Sequence, residues 1–190
     1  MEASADMSIA ADHLITADEL LQMPDDGIRR ELVRGEVIET MPPNYEHGLI
    51  ALRLGSLLLA WIAQGAGGEA GVETGFRLAR NPDTVRGPDV FYIRPERGPQ
   101  HRAAPGFPDL APDLAVEIVS PTETAEEVQA KVTDYLTAGA RLVWVIYPRQ
   151  QQVVAHTPDG VGRTFRTTDT LAQPALLPGF ACPVAALFPA

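Results

Sequence analysis

Lysine is nearly missing from this chain: of 15 basic residues, 14 are arginine, and Lys131 stands alone among 190 residues. Arginine supplies the positive charge that solubility needs, so a single lysine asks for a reason of its own. The plain alternative is a composition poor in lysine, with one survivor on a helix surface. Cysteine is almost as scarce. Cys182 is the only one, which excludes a disulfide framework and a thiolate metal cluster and fits a reducing compartment. Long hydrophobic runs are missing too: the most apolar stretch, Leu54–Ala63, is about half of the ~20 residues a membrane span needs. The opening Met1-Glu2-Ala3-Ser4-Ala5-Asp6 lacks the basic and apolar regions of a secretory signal. These absences set the expectation of a soluble cytoplasmic protein with no membrane partner.

What is present is ordinary for a globular domain: 45% hydrophobic and 21% charged residues. We find no repeat, low-complexity tract or second domain, so residues 1–13 are expected to be disordered and 14–190 to form a single domain. The net charge of −10 is uneven. Residues 1–27 carry seven acids and no base. Residues 28–102 carry ten arginines against nine acids, and 103–190 carry five bases against nine acids. Overall repulsion weakens nonspecific nucleic-acid binding. In the middle region, however, Arg77, Arg80, Arg86, Arg94, Arg97 and Arg102 outnumber the local acids, and such a rim is able to receive phosphates. Solvated loop charges are the competing account of the same arginines.

Thr16-Ala17-Asp18-Glu19 reads as a capping box opening a short helix, stopped by Pro24-Asp25-Asp26-Gly27. Arg30–Val33 and Glu36–Glu39 read as a hairpin turning at Arg34-Gly35. A long helix follows from Asn44 or Tyr45 to about Gln64, with apolar residues on more than one stripe and therefore expected to be largely buried. Strands are expected over Val72–Leu78, Asp89–Ile93, Leu114–Val119 and Leu142–Tyr147, the last central. A helix from Glu123 or Thr124 to Ala138, with Gly139 closing it, separates the final two of these. Arg94–Pro112 is proline-rich loop. Val153–His156 and Arg163–Thr167 form a terminal hairpin, and the tail through Leu187-Phe188 packs back. The class is α/β (α+β in looser usage), a mixed central sheet flanked by helices.

Alternation sets Leu114, Val116 and Ile118 on one face of their strand and Ala115, Glu117 and Val119 on the other. Glu117 is then a carboxylate among small apolar neighbours, where glutamate is rare unless paired or metal-bound. An edge strand with Glu117 facing water is the alternative. Glu127, Lys131 and Tyr135 recur at four-residue spacing on one helix face, either as a surface Glu–Lys pair or as a face laid over Glu117. Asp89 follows Pro88 at a strand start, weak alone. Two carboxylates from strand-like segments and one lysine are the makings of a metal-dependent phosphodiesterase site. Hard oxygen ligands suit Mg²⁺ or Mn²⁺, and the lack of Cys ligands and of an HExxH pattern disfavours zinc.

The assembled motifs resemble the Uma2 family, restriction-endonuclease-like members of the PD-(D/E)XK nuclease superfamily. The matching pieces are Thr16-Ala17-Asp18-Glu19-Leu20-Leu21, Arg30-Glu31-Leu32-Val33-Arg34-Gly35-Glu36, Pro43 to His47 and Gly87-Pro88-Asp89-Val90. They continue through Pro112 to Pro121, Lys131 with Tyr135, and Ala138-Gly139 before Trp144, covering about 14–188. The resemblance implies a restriction-endonuclease-like core in which Asp89 and Glu117 bind Mg²⁺ or Mn²⁺ and Lys131 is the catalytic lysine, carried on the following helix. It implies an auxiliary ligand at Glu31, otherwise a hairpin surface charge, and a family histidine at His47, for which a helix-start hydrogen bond is the simpler role. Glu127 stands where the family usually has Asp, as does Tyr147. Tyr135 completes the auxiliary set, and Arg77, Arg86 and Arg94 are the candidate substrate contacts. The implied activity is hydrolysis of phosphodiester bonds in nucleic acid, DNA before RNA. The runner-up is a catalytically silent nucleic-acid-binding or protein-interaction module. Members of this superfamily often pair, which makes a homodimer compatible with the resemblance though nothing in the residues demonstrates one.

Overall fold

The computed structural model describes residues 13–98 and 105–189. The expected disorder of the first residues falls mostly on 1–12, and Arg102 with part of the proline-rich loop also lies outside the described residues. The chain opens with α1 (Ala17–Leu21), whose capping box is formed as read: Thr16 Oγ1 accepts from Glu19 N–H, and the Glu19 carboxylate accepts from Thr16 N–H. The hairpin β1 (Arg29–Val33) and β2 (Glu36–Thr40) turns on Arg34 and Gly35, both at positive φ (52° and 83°), the geometry a two-residue turn needs to match strand twist.

Helix α2 (Tyr45–Trp61) begins with Asn44 Oδ1 accepting from His47 N–H and ends in one wider turn over Ile62–Ala66. Only one stripe of it is buried: His47, Ile50, Leu54, Leu58 and Trp61. Leu52 and Leu59 face out, which corrects the expectation of a largely buried helix. With its final turn, Tyr45–Ala66 is long and apolar enough for a membrane span, so length and composition leave the membrane question open, and the expected absence of such a segment is corrected on that point. Here its buried stripe serves as a core helix over the sheet.

The expected strand at Val72–Leu78 is two strands in two sheets. β3 (Glu69–Val72) and β4 (Phe76–Ala79) are parted by Glu73 at φ 49°. β5 (Thr84–Arg86), missed in the sequence, follows, and then β6 (Val90–Ile93) and β7 (Leu114–Ile118). Helix α3 (Ala125–Thr137) carries a second capping box, Thr124 with Glu127, and ends at Gly139 with φ 100°. β8 (Leu142–Tyr147), β9 (Gln152–His156) and β10 (Gly162–Arg166) complete the larger sheet, and the short pair β11 (Thr170–Leu171) and β12 (Cys182–Pro183) lies apart.

Six strands run β10-β9-β8-β7-β6-β3, with β7 and β8 parallel across the α3 crossover and the other pairs antiparallel. Four more run β2-β1-β5-β4. Leu114, Val116 and Ile118 join α2 and the C-terminal tail in the main core, while Ala115, Val143 and Val145 meet Val128, Val132 and Tyr135 of α3 on the other face. A mixed sheet between two helices is thus present, with a second sheet that periodicity did not reveal. The chain crosses from the smaller sheet to the larger one at Gly87-Pro88-Asp89, between β5 and β6.

Candidate active-site cleft

That crossing point is the floor of a cleft of about 250 Å³. One wall is Ile38, Thr40, Met41, Pro42 and Pro43 from β2 and the loop after it; the other is Ser120, Thr122, Glu123, Glu127 and Lys131 around the start of α3. Arg29, Glu31, His47 and Asp89 line it between these walls.

Asp89 is buried, and both of its oxygens are engaged. Oδ2 accepts from Ile118 N–H at 2.7 Å and lies 3.1 Å from His47 Nε2, while Oδ1 accepts from Arg29 Nη1 at 3.2 Å. Burial pushes the Asp89 carboxyl up, but the His47 hydrogen bond and charge, the Ile118 amide and Arg29 together hold it below the usual carboxylate range. Burial pulls His47 down, and the Asp89 hydrogen bond and charge outweigh that and raise it. His47 therefore does more than start a helix: its ring supports Asp89. Its Nδ1 is buried without a partner among the described residues.

Glu117 lies mid-sheet between β6 and β8 and is 3% exposed, so the water-facing alternative does not hold. Its Oε2 accepts from Lys131 Nζ at 3.0 Å and its Oε1 from Tyr135 O–H at 2.8 Å. The helical spacing of Lys131 and Tyr135 therefore does lay one face over Glu117. Lys131 also donates to Glu123 at 2.6 Å, a partner that sequence reasoning missed because Glu123 sits in the turn before α3, outside the periodic pattern. Glu127, for which a surface pair with the lysine was the alternative reading, spends its carboxylate on the Thr124 cap at the cleft rim.

The Glu117–Lys131 pair pulls unequally. Burial pushes Glu117 up to about 7; Lys131 opposes this, while the Asp89 and Glu31 charges add to it. Lys131 is pulled down by burial but raised above its ordinary value by Glu117, Glu31 and Glu123. We take Lys131 as the firmly charged member, since two carboxylates bond it directly. Burial, then the Glu117 charge, raises the Tyr135 phenol far above its ordinary value, so it remains a hydrogen-bond donor.

Glu31, on β1, is buried rather than a hairpin surface charge. It accepts from Gly87 N–H at 2.9 Å and Arg86 Nη1 at 2.8 Å. Arg86 also binds Asp134 of α3 at 2.7 Å, so it ties the small sheet to the lysine-bearing helix instead of reaching toward solvent. The other candidate substrate arginines lie elsewhere. Arg94 is bonded to Asp113 at 2.8 Å, at the end of β6 and β7 opposite Asp89 and Ile118, roughly 15 Å away at ~3.3 Å per residue. Arg77 is held by Asp109 at 3.3 Å, beside Arg80. Neither lines the cleft, so the expected basic rim does not form there. Arg29, which sequence reasoning passed over, does line it.

No group of three or more His, Cys, Asp or Glu side chains arranged to hold a metal ion occurs among the described residues. The donor set still suits one kind of metal. Mg²⁺ commonly takes one or two carboxylates and fills its shell with water and substrate phosphate. Around the cleft, Glu31, Asp89, Glu117, Glu123 and Asp134 face the fixed cations Arg29, Arg86 and Lys131. Carboxylates outnumber the fixed cations in this cluster, a balance that a divalent cation would suit.

A family model described as "Uma2: Putative restriction endonuclease" matches residues 17–185. Among solved structures, the chain is similar to the 1.96 Å crystal structure of a "putative nuclease belonging to DUF820" from Anabaena variabilis ATCC 29413, with a TM-score of 0.79 and 23% sequence identity. The likeness covers 92% of this chain and 97% of that one, and at this identity it is a likeness of fold. No curated protein matches.

Proposed function

This chain belongs to the Uma2 family, and from that premise we propose that it is a metal-dependent endonuclease hydrolysing phosphodiester bonds in nucleic acid, DNA before RNA. The observation that carries the reading is that Asp89 and the single lysine line one cleft, with the buried Glu117 bonded to Lys131 Nζ at 3.0 Å. Asp89 and Glu117 would hold Mg²⁺ or Mn²⁺, with Glu31 behind them as support. When bound, the cation polarises the scissile phosphate and makes the attacking water more acidic.

The chain's own residues do the rest. Lys131, kept charged by Glu117 and Glu123, orients the attacking water or stabilises negative charge developing on the phosphate. Tyr135 and Lys131 fix the rotamer of Glu117, and His47 with the Ile118 amide fixes that of Asp89. Positioned groups of this kind lose catalysis steeply on small displacements.

One observation favours the silent-module reading: every oxygen of Asp89 and Glu117 already has a protein donor. Incubation with plasmid, single-stranded DNA and RNA in Mg²⁺ or Mn²⁺ decides between the two. Metal-dependent cleavage lost in both Asp89→Asn and Lys131→Met supports the enzyme. Binding of nucleic acid or protein without Mn²⁺ uptake and without cleavage supports the module.

A further inference from the structure

Arg29 is a residue to which neither the motif pattern nor the spacing assigned a role. Among the described residues, it and Lys131 are the only two fixed cations lining the cleft, and they approach from opposite elements, β1 and α3. Their situations differ. Lys131 is spent on two carboxylates at 2.6 and 3.0 Å, and its side chain is 16% exposed. Arg29 is 26% exposed; it donates from Nη1 to Asp89 and from Nη2 to the Gly87 carbonyl, and Glu73 stands 3.9 Å away. A guanidinium carries five N–H donors. Two are used, and both anchor the fork against the floor of the cleft, so the remaining donors belong to a group already oriented.

Charge balance alone does not demand this placement. Asp89 is already supported by His47 and by the Ile118 amide. A partly exposed planar fork that is anchored on one side and keeps donors to spare, the one arginine among the described residues that line the cleft, matches the recognition of a tetrahedral oxyanion, for which arginine is well suited. We propose that Arg29 contacts substrate directly, donating to a non-bridging oxygen of the backbone phosphate seated in the cleft, across from Lys131. The inference rests on the nucleic-acid reading above and names the residue that holds the phosphate.

The test is equilibrium binding of a labelled oligonucleotide by fluorescence anisotropy, in EDTA and in Ca²⁺, over a NaCl series. Wild type is compared with Arg29→Gln and Arg29→Lys. Loss of a charged hydrogen bond predicts about 10- to 100-fold weaker binding for Arg29→Gln. It also predicts a log–log salt slope shallower by ~0.7 to 0.9, the signature of one phosphate contact removed. Arg29→Lys, which keeps the charge without the fork, should restore the slope but only part of the affinity, and it carries the test should Arg29→Gln fail to fold. Mn²⁺ affinity measured by calorimetry without nucleic acid separates this from mere support of Asp89. An Arg29→Gln protein that binds oligonucleotide with wild-type affinity and slope, or that is weakened only through lost Mn²⁺ affinity, overturns the proposal while leaving the endonuclease reading standing. A wild-type protein that binds no nucleic acid in either condition overturns both.

Discussion

At the scale of single residues, the Glu117–Lys131 pair makes two measurable claims. Lys131→Arg retains charge but puts a planar fork where a compact ammonium fits between Glu117 and Glu123. The variant should melt within a few degrees of wild type and bind Mn²⁺ similarly, yet lose about 100-fold or more of any cleavage rate. Full retained activity would reduce the lysine to a structural ion pair. The second claim concerns pH. Burial and the Asp89 and Glu31 charges raise the folded pKa of Glu117 from 4.5 to about 7, so the native state holds this proton more tightly than the unfolded chain. The resulting stability is fully present below about pH 4.5 and is lost as pH rises through 7, a span worth on the order of 3 kcal/mol. Glu117→Gln resembles the neutral acid. Without metal, it should therefore gain on wild type by roughly 1–3 kcal/mol between pH 4.5 and pH 8. Urea titrations at the two pH values read that difference, and parallel pH curves for the two proteins would refute it. Asp89 works the other way, contributing stability that is lost as pH falls through its depressed pKa.

Elements hold these residues in place, and the sharpest constraint is the turn of the first hairpin. Gly35 sits at φ 83°, and a Cβ there would lie 2.7 Å from Leu14 Cβ. Gly35→Ala should cost about 1–3 kcal/mol from backbone strain and the clash. Since β1 carries Arg29 and Glu31 into the cleft, it should also lower activity beyond what the folded fraction explains. A thermal melt showing no loss would mean the turn relaxes. This hairpin was legible because Arg34-Gly35 separates two short strands, and the capping box of α1 was legible because it is local. Long-range placements were not. The residues of 72–78 look like one strand, yet a reversal at Glu73 sends β3 and β4 into different sheets, and no local pattern encodes a partner strand. Every apolar residue of α2 counts equally in a sequence, but only the stripe through Ile50, Leu54 and Leu58 meets the sheet. The buried Glu117 and the face shared by Lys131 and Tyr135 were readable from periodicity. Arg94 was misplaced because distance along β6 is invisible until its antiparallel pairing with β7 puts Arg94 at the far end. Arg29 and Glu123 escaped because their roles exist only where the two sheets and α3 meet.

For the whole molecule, charge is the governing quantity, and it runs against a simple polyanion binder. The chain carries −10. Among the described residues, Arg29, Arg30, Arg77, Arg80, Arg86, Arg94 and Arg97 are all in ion pairs with the chain's own carboxylates. A nucleic acid approaching the cleft meets surplus negative charge, so on the endonuclease reading a bound divalent cation would add to the attraction that Arg29 and Lys131 supply. That makes divalent metal uptake the property on which the functional reading depends. A ligand bound by the native state alone raises stability by about 2.7 kcal/mol at a hundred times its dissociation constant, roughly 5–10 °C in melting temperature for a chain this size. Wild type should therefore melt higher in Mn²⁺ or Mg²⁺ than in EDTA. The gain should grow from pH 6 to pH 8, because Glu117 must give up its proton to become a ligand. An acidic protein also collects divalent ions without a site, so Asp89→Asn is the necessary control, since it removes one ligand and little of the net charge. A shift that survives in Asp89→Asn is diffuse screening. A wild-type protein whose melting temperature does not move would leave the acidic cleft without its counter-ion, and the silent-module reading would then be the better one.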